Sequence, residues 1–288
     1  MAKKNVYNIV TERILKLLDQ GVAPWKRAWN FRAGLPQNFD SKRPYRGFNL
    51  MYLAFVQMLE GWQYPYYLTY AGARKHGWHV KKGEVGNIVV FYKTYERTET
   101  DELTGEERTK KIGVLRYYYV FNLDQIDGWS GEDLPKPAKA VQKIRSCEGL
   151  IENFVDGLPP IRHGKPAYWS SRDVITLPDL AEFESEAHYY ATRYHETVHA
   201  TGAQHRLARP GIVDPEQFGS EKYSFEELIA ELGAAFLNAM SGISDKVIDQ
   251  NAAYVKSWRD KLADNPTWIV KASSQAQKAV DYLLGTSY

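Results

Sequence analysis

The sequence predicts an α+β fold in two domains, and three observations carry that prediction. Helical and strand-like hydrophobic patterns both occur along its 288 residues. Charge divides unevenly: residues 1–130 hold 20 of the 37 Lys+Arg and 13 of the 35 Asp+Glu, a net +7, while the remainder carries −5. Between the two lies Gly128-Trp129-Ser130-Gly131-Glu132-Asp133-Leu134-Pro135-Lys136-Pro137, a Gly- and Pro-rich segment that reads as a linker. The expected boundaries are a mixed α+β domain over 1–130, a linker over 131–137 and a second domain over 138–288.

The elements follow in order. Tyr7, Val10, Ile14, Leu17 and Leu18 recur at helical spacing, and Gly21 and Pro24 end that helix. A second helix is predicted over 49–60, before Gly61. A β-hairpin has arms at 86–92 and 114–121, with a charged, solvated tip at 101–105. Residues 166–178 read as strand, turn, strand. A Gly- and Pro-free run from Ser185 then predicts a long helix that Gly202 ends, and a further helix covers 224–236.

Composition narrows the class. A single cysteine, Cys147, excludes an internal disulfide and a cysteine-rich metal site. No run approaches the roughly 20 apolar residues needed to span a membrane, and the start lacks an apolar core of signal-peptide length. The expected compartment is the cytosol, with no membrane partner.

The long helix carries His195-Glu196-Thr197-Val198-His199, the HExxH pattern of zinc peptidases. Histidines four residues apart share one helix face and reach one metal ion, with Glu196 between them as general base for the attacking water. Zinc is the expected ion, with Mn²⁺ or Co²⁺ as possible substitutes. Two residues compete to be the third ligand. His205 completes His195-Glu196-x-x-His199-x-x-Gly202-x-x-His205, the metzincin spacing, but Met240, the sole methionine downstream, falls in a helical run instead of a Met-turn. Glu227 lies on the next helix one turn before Glu231, as in gluzincins. Against Glu227 stands Ser224-x-x-Glu227 as an ordinary capping box. The order is Glu227, then His205, with Glu231 orienting a ligand from behind. Tyr168, Tyr189, Tyr190 and Tyr223 are candidate donors to an oxyanion.

The first domain is rich in rings, with 5 Trp, 12 Tyr and 6 Phe in 130 residues. Several sit beside basic residues, and rings that stack on bases, interleaved with cations that follow phosphates, suit sequence-independent binding of single-stranded DNA. The candidate residues are Trp25, Lys26, Arg27, Arg43, Tyr45, Arg46, Lys75, Lys81 and Lys82. Arg206 and Arg209, just past the HExxH run, are further candidates for DNA contact, competing with a plain surface role.

Taken together, Thr11-Glu12-Arg13-Ile14 through Gly21-Val22-Ala23-Pro24-Trp25, Pro44-Tyr45-Arg46-Gly47-Phe48-Asn49-Leu50, Lys82-Gly83-Glu84 and Val120-Phe121-Asn122-Leu123-Asp124-Gln125-Ile126 resemble the N-terminal domain of ArdC-type antirestriction proteins. The second half, through His195-Glu196-Thr197-Val198-His199, His205-Arg206-Leu207 and Glu226-Glu227-Leu228-Ile229-Ala230-Glu231-Leu232, resembles their zincin-type metallopeptidase domain. That resemblance implies a plasmid-encoded protein that binds single-stranded DNA and shields DNA entering by conjugation from restriction. It also implies kinship with the Spartan and SprT metalloproteases, which act on DNA-bound proteins. Glu227-x-x-Ala230-Glu231-x-x-Ala234 looks like the downstream helix of IrrE/ImmA-type zincins, whose first Glu is a metal ligand, although Glu231 stands where those have Asn.

Overall fold

The computed structural model describes residues 5–26, 34–100, 107–134, 147–217, 219–247 and 252–286. Helix α1 (Val6–Asp19) starts where Asn5 Oδ1 accepts the Tyr7 N–H at 3.1 Å, and it buries Val10, Ile14 and Leu18, the stripe expected from their spacing. After β1 (Gln37–Asn38), α2 (Gly47–Glu60) begins two residues ahead of expectation and stops at Gly61, whose φ of 66° is the left-handed value of a helix C-terminus. Its early start has a tertiary cause: the Gly47 N–H donates to Gln277 Oε1 at 3.0 Å, from the far end of the chain. Then come β2 (Tyr66–Leu68), α3 (Tyr70–Lys75), β3 (His79–Val80), β4 (Asn87–Thr100), β5 (Glu107–Asn122) and β6 (Ile126–Asp127). One sheet has the order β1-β2-β5-β4, with only β1–β2 parallel; β3 and β6 form a small antiparallel pair.

The β4–β5 ladder runs from Asn87 opposite Val120 to Thr100 opposite Glu107, well past the expected arms. Charged residues interrupt the apolar alternation there, but backbone pairing does not require apolar side chains. The expected tip at 101–105 lies outside the described residues.

The second half continues with α4 (Cys147–Ile151), β7 (Ile161–His163), β8 (Ala167–Trp169), β9 (Val174–Leu177), α5 (Glu186–Ala200), α6 (Pro210–Val213), α7 (Glu221–Ser241), α8 (Ala252–Asp264) and α9 (Trp268–Leu283). Strands β8 and β9 form the expected antiparallel pair, and β7 joins β9 in parallel, giving the order β7-β9-β8 with β8 at an edge beside α5. Helices α5 and α7 cross at close range because position 233 is glycine: a Cβ there would lie 2.8 Å from a Val198 methyl. Glycine 202 is explained the same way. It has no positive φ, and a Cβ on it would meet Ile212 at 2.6 Å.

The two halves share one hydrophobic core. Helix α1 packs on α8 and α2 on α9, so that Val10 and Ile14 join Val255, Trp258, Leu262 and Ile269 in a single cluster. Of the segment read as a linker, Gly131–Asp133 forms a 3₁₀ turn and 135–137 lie outside the described residues. No described helix is long and apolar enough to cross a membrane.

Candidate metal centre

Helix α5 places His195 and His199 one turn apart, and α7 brings Glu227 against both. The Nε2 atoms of the histidines are 3.1 Å apart, and each lies 3.4 Å from an oxygen of Glu227. Donors held at about 2.0–2.1 Å from a tetrahedral zinc are themselves about 3.3 Å apart. The spacing of the two nitrogens and the two Glu227 oxygens therefore fits a metal ion of that size, and the donor set of two imidazoles and a carboxylate suits Zn²⁺, with Mn²⁺ and Co²⁺ compatible.

The electrostatics favour a cation. Burial alone would pull the His199 pKa down, but hydrogen bonds to Glu226 and Glu227 outweigh it and push it up to about 10. Burial would raise the Glu227 carboxyl, yet the two histidines hold it far below the usual carboxylate range.

Glu227 is available because the competing capping box does not form. Helix α7 begins three residues earlier, at Glu221, where Ser220 Oγ accepts the Tyr223 N–H at 3.1 Å. Ser224 is thus inside the helix, and its buried hydroxyl has no hydrogen-bond partner. His205 joins no metal-ligand cluster among the described residues; it is exposed and lies 3.5 Å from Asp173. Glu231 pairs with Lys26 at 2.8 Å instead of supporting a histidine.

The supporting role belongs to Glu226, which sequence reasoning missed. Its Oε1 is 3.3 Å from His199 Nδ1, and it receives Arg209 Nε at 3.1 and 3.0 Å and Nη2 at 2.6 Å. Arg209 also donates to Thr201 Oγ1 at 2.6 Å and to the Val198 carbonyl at 2.7 Å. Arginine, glutamate and imidazole form one buried chain that orients His199. Gly211 admits it, since a Cβ there would lie 2.6 Å from Glu226 Cβ. The available signal was the Glu226-Glu227 pair: consecutive residues point about 100° apart on a helix, so one can face the metal and its neighbour the rear of a ligand.

Arg206 and Arg209 both have buried side chains, which leaves neither for DNA contact. Arg206 grips Asp173 at 2.8 and 2.7 Å and donates to the carbonyls of Ala200 and Gly157. Its hydrogen bonds hold the Asp173 carboxyl below the ordinary range. A carboxyl with a depressed folded pKa contributes stability above its unfolded pKa and loses it as pH falls through the folded one. The unfolding free-energy gap between wild type and Asp173→Asn is therefore expected to be constant above about pH 5 and to shrink below about pH 4. A denaturant titration series across pH measures it, and a gap that grows on acidification would contradict the assignment.

Glu196 is buried and lines, with Tyr168, Tyr223 and the three cluster residues, a cleft of about 330 Å³ walled on one side by β8. Of the four tyrosines, Tyr168 donates to Asp173 at 2.7 Å, while Tyr190 bonds Glu148 and Tyr189 packs against Phe183. Tyr223 is left facing the cleft beside Glu227, and burial with that charge raises its pKa. On the other side of His195 lies a second cavity of about 320 Å³, lined by Trp25 and Lys26 together with His188, Thr192 and Glu231. The first half thus forms part of the wall around the candidate centre.

The residues proposed to meet DNA are dispersed. Trp25 is buried, donating to the Tyr254 hydroxyl at 2.9 Å, and Tyr45 is buried as well, so neither offers a ring face to a base. Lys26 is paired with Glu231 and Arg46 with Asp281. Lys81 donates to the Asp124 carbonyl at 2.8 Å. Arg43, Lys75 and Lys82 are exposed, and Arg27 lies outside the described residues.

Comparison with known proteins places both halves. Residues 4–121 match the model of the N-terminal domain of anti-restriction factor ArdC, and residues 155–275 match that of the zincin-like metallopeptidases. The chain is 32% identical over 287 residues to the uncharacterized protein y4eC of Sinorhizobium fredii, covering 97% of this chain and 91% of that one. It is 35% identical over 303 residues to the DNA primase TraC of Escherichia coli, covering 98% of this chain but 27% of the primase; it spans about a quarter of that relative's length. Crystal structures of the antirestriction protein ArdC from plasmid R388 superpose on it. The metal-free form has 35% identity and a TM-score of 0.72, covering 99% of this chain and 100% of that one. The Mn(II)-bound form has 33% identity and a TM-score of 0.74, covering 98% of each. With likeness in sequence and in fold running through both halves, the chain belongs to the ArdC antirestriction family.

Proposed function

We propose that this protein protects incoming DNA by holding single-stranded DNA with its first half and cleaving DNA-bound proteins, restriction enzymes among them, at a zinc-dependent centre in its second. The observation that carries the catalytic part is the cluster of His195, His199 and Glu227, whose ligand atoms lie within 4.8 Å of one another, with buried Glu196 beside them in one cleft. His195, His199 and Glu227 would hold the ion, which supplies Lewis acidity to the scissile carbonyl and the attacking water. Glu196 takes the proton from that water and delivers it to the leaving amine. Tyr223 keeps its proton beside Glu227 and donates a hydrogen bond as the carbonyl oxygen gains charge. Strand β8, at a sheet edge beside α5, pairs with the main chain of an extended substrate and aligns it across the cleft. The Mn(II)-bound R388 relative supports the metal, and the net charge of +7 over residues 1–130 supports the DNA partner.

The test is cleavage of a DNA-bound protein by purified wild type and by Glu196→Ala, with Zn²⁺ or Mn²⁺, with and without single-stranded DNA. Fragments formed by wild type alone, and faster with DNA, are expected. Equal protection of DNA by both proteins with no fragments would replace this reading with a DNA-shielding module whose metal domain is structural or regulatory.

A further inference from the structure

The β4–β5 hairpin carries a ring-and-cation face that the ring-and-base reading of the sequence did not single out. In the ladder, Phe91 stands opposite Arg116, Lys93 opposite Val114 and Val89 opposite Tyr118, so Phe91, Lys93, Tyr95, Arg116 and Tyr118 fall on one face. Phe91, Tyr95 and Tyr118 are 43%, 36% and 38% exposed, although the same two strands bury Ile88, Val89, Leu115 and Val120 in the core. The Phe91 and Tyr118 rings are 5.7 Å apart, and Lys93 Nζ sits 5.3 Å from the centre of the Tyr95 ring, whose hydroxyl accepts Arg116 Nη2 at 3.2 Å. Among the described residues neither Lys93 nor Arg116 has a carboxylate partner, so both keep their charge for an anion.

The other face also carries exposed rings, Tyr92, Tyr117 and Tyr119, but helix α1 engages two of them. There the Tyr7 and Tyr92 hydroxyls of α1 and β4 are 2.7 Å apart, and Arg13 of α1 lies over the Tyr119 ring. Charge follows the same division. Of the residues whose side chains are described, the ring-bearing parity has Lys93 and Arg116 and no carboxylate, whereas the opposite parity has Glu96 and no cation. A ribbon with alternating rings and cations on one face complements a polyanion whose flat bases are unpaired: phosphates meet the cations and bases stack on the rings. A protein partner would not call for so one-sided a positive charge.

We propose that this face of the hairpin is the surface that takes up single-stranded DNA, an inference that rests on the DNA-binding part of the reading above. Duplex DNA, its bases stacked inside, leaves the rings unused. The test is fluorescence anisotropy with a labelled single-stranded oligonucleotide and with the matching duplex, on the full chain. Tyr95→Ala is expected to weaken single-strand binding roughly tenfold and Phe91→Ala with Tyr95→Ala roughly a hundredfold, while Tyr95→Phe, which keeps the ring, stays within about twofold. Lys93→Gln with Arg116→Gln, both at exposed positions that leave the core intact, is expected to lower the slope of log affinity against log salt by about 1.4. Wild-type binding of single strands with all these variants indistinguishable from it would overturn the surface and leave the DNA partner standing, as would equal or tighter binding of duplex. Failure of wild type to bind single strands would overturn both.

Discussion

Glu227→Gln is expected to lower affinity for Zn²⁺ by more than about a hundredfold, whereas His205→Ala leaves it within about twofold. Loss of a residue that merely orients a ligand costs about 10–100-fold, so loss of a ligand sets a larger floor. Glutamine preserves the size of the side chain but removes the charge, and its amide is a poor substitute for a carboxylate beside two imidazoles. His205 is the informative control because it completes a metzincin spacing in the sequence while its ring lies beside Asp173 in the fold. Calorimetric titration of metal into the purified variants decides between them. Equal losses in both variants, or a loss confined to His205→Ala, would remove Glu227 from the centre.

Arg209→Met is expected to destabilise the protein by about 3–5 kcal/mol, the cost of leaving one member of a buried ion pair without its partner. Arg209 and Glu226 are both nearly inaccessible, and the guanidinium also satisfies the Thr201 hydroxyl and the Val198 carbonyl. Two consequences separate packing from positioning. Adding Glu226→Leu removes the stranded charge and is expected to restore most of the stability. It cannot restore the partner of His199 Nδ1, so metal affinity stays about 10–100-fold below wild type in the double variant. Denaturant unfolding and metal titration on the same three proteins, wild type and the two variants, measure both. If affinity returned along with stability, Glu226 would be a packing residue with no role in orienting His199.

Where reading by residue fell short, the reason is distance along the chain. Trp25 and Lys26 have the composition of a DNA contact, but Tyr254 and Glu231, more than 200 residues further on, claim the ring and the charge. Arg46 is claimed by Asp281 in the same way. Arg206 and Arg209 lie in a segment that reads as surface until α7 supplies Glu226 and the turn after β8 supplies Asp173. Helices α8 and α9, which bind the halves into one core, offered no motif to name. The hairpin shows the converse: its arms were legible, but which of its two faces would meet α1 depended on where that helix settled.

By itself the sequence determined everything that follows from a local period. The i, i+4 spacing of His195 and His199 puts both rings on one face of a helix whatever the rest of the chain does, and Glu196 comes with them. Strand alternation likewise sorts the hairpin residues into two faces before any packing is known. The sequence ranked Glu227 ahead of His205 as third donor, but only the tertiary structure brings Glu227, and not His205, against the two histidines. The choice rests on a helix crossing that a missing side chain at Gly233 permits, and on an N-terminus at Ser220 that leaves Glu227 free of a capping role. Contacts between distant segments depend on volume and burial summed over the whole core, which no window of sequence contains.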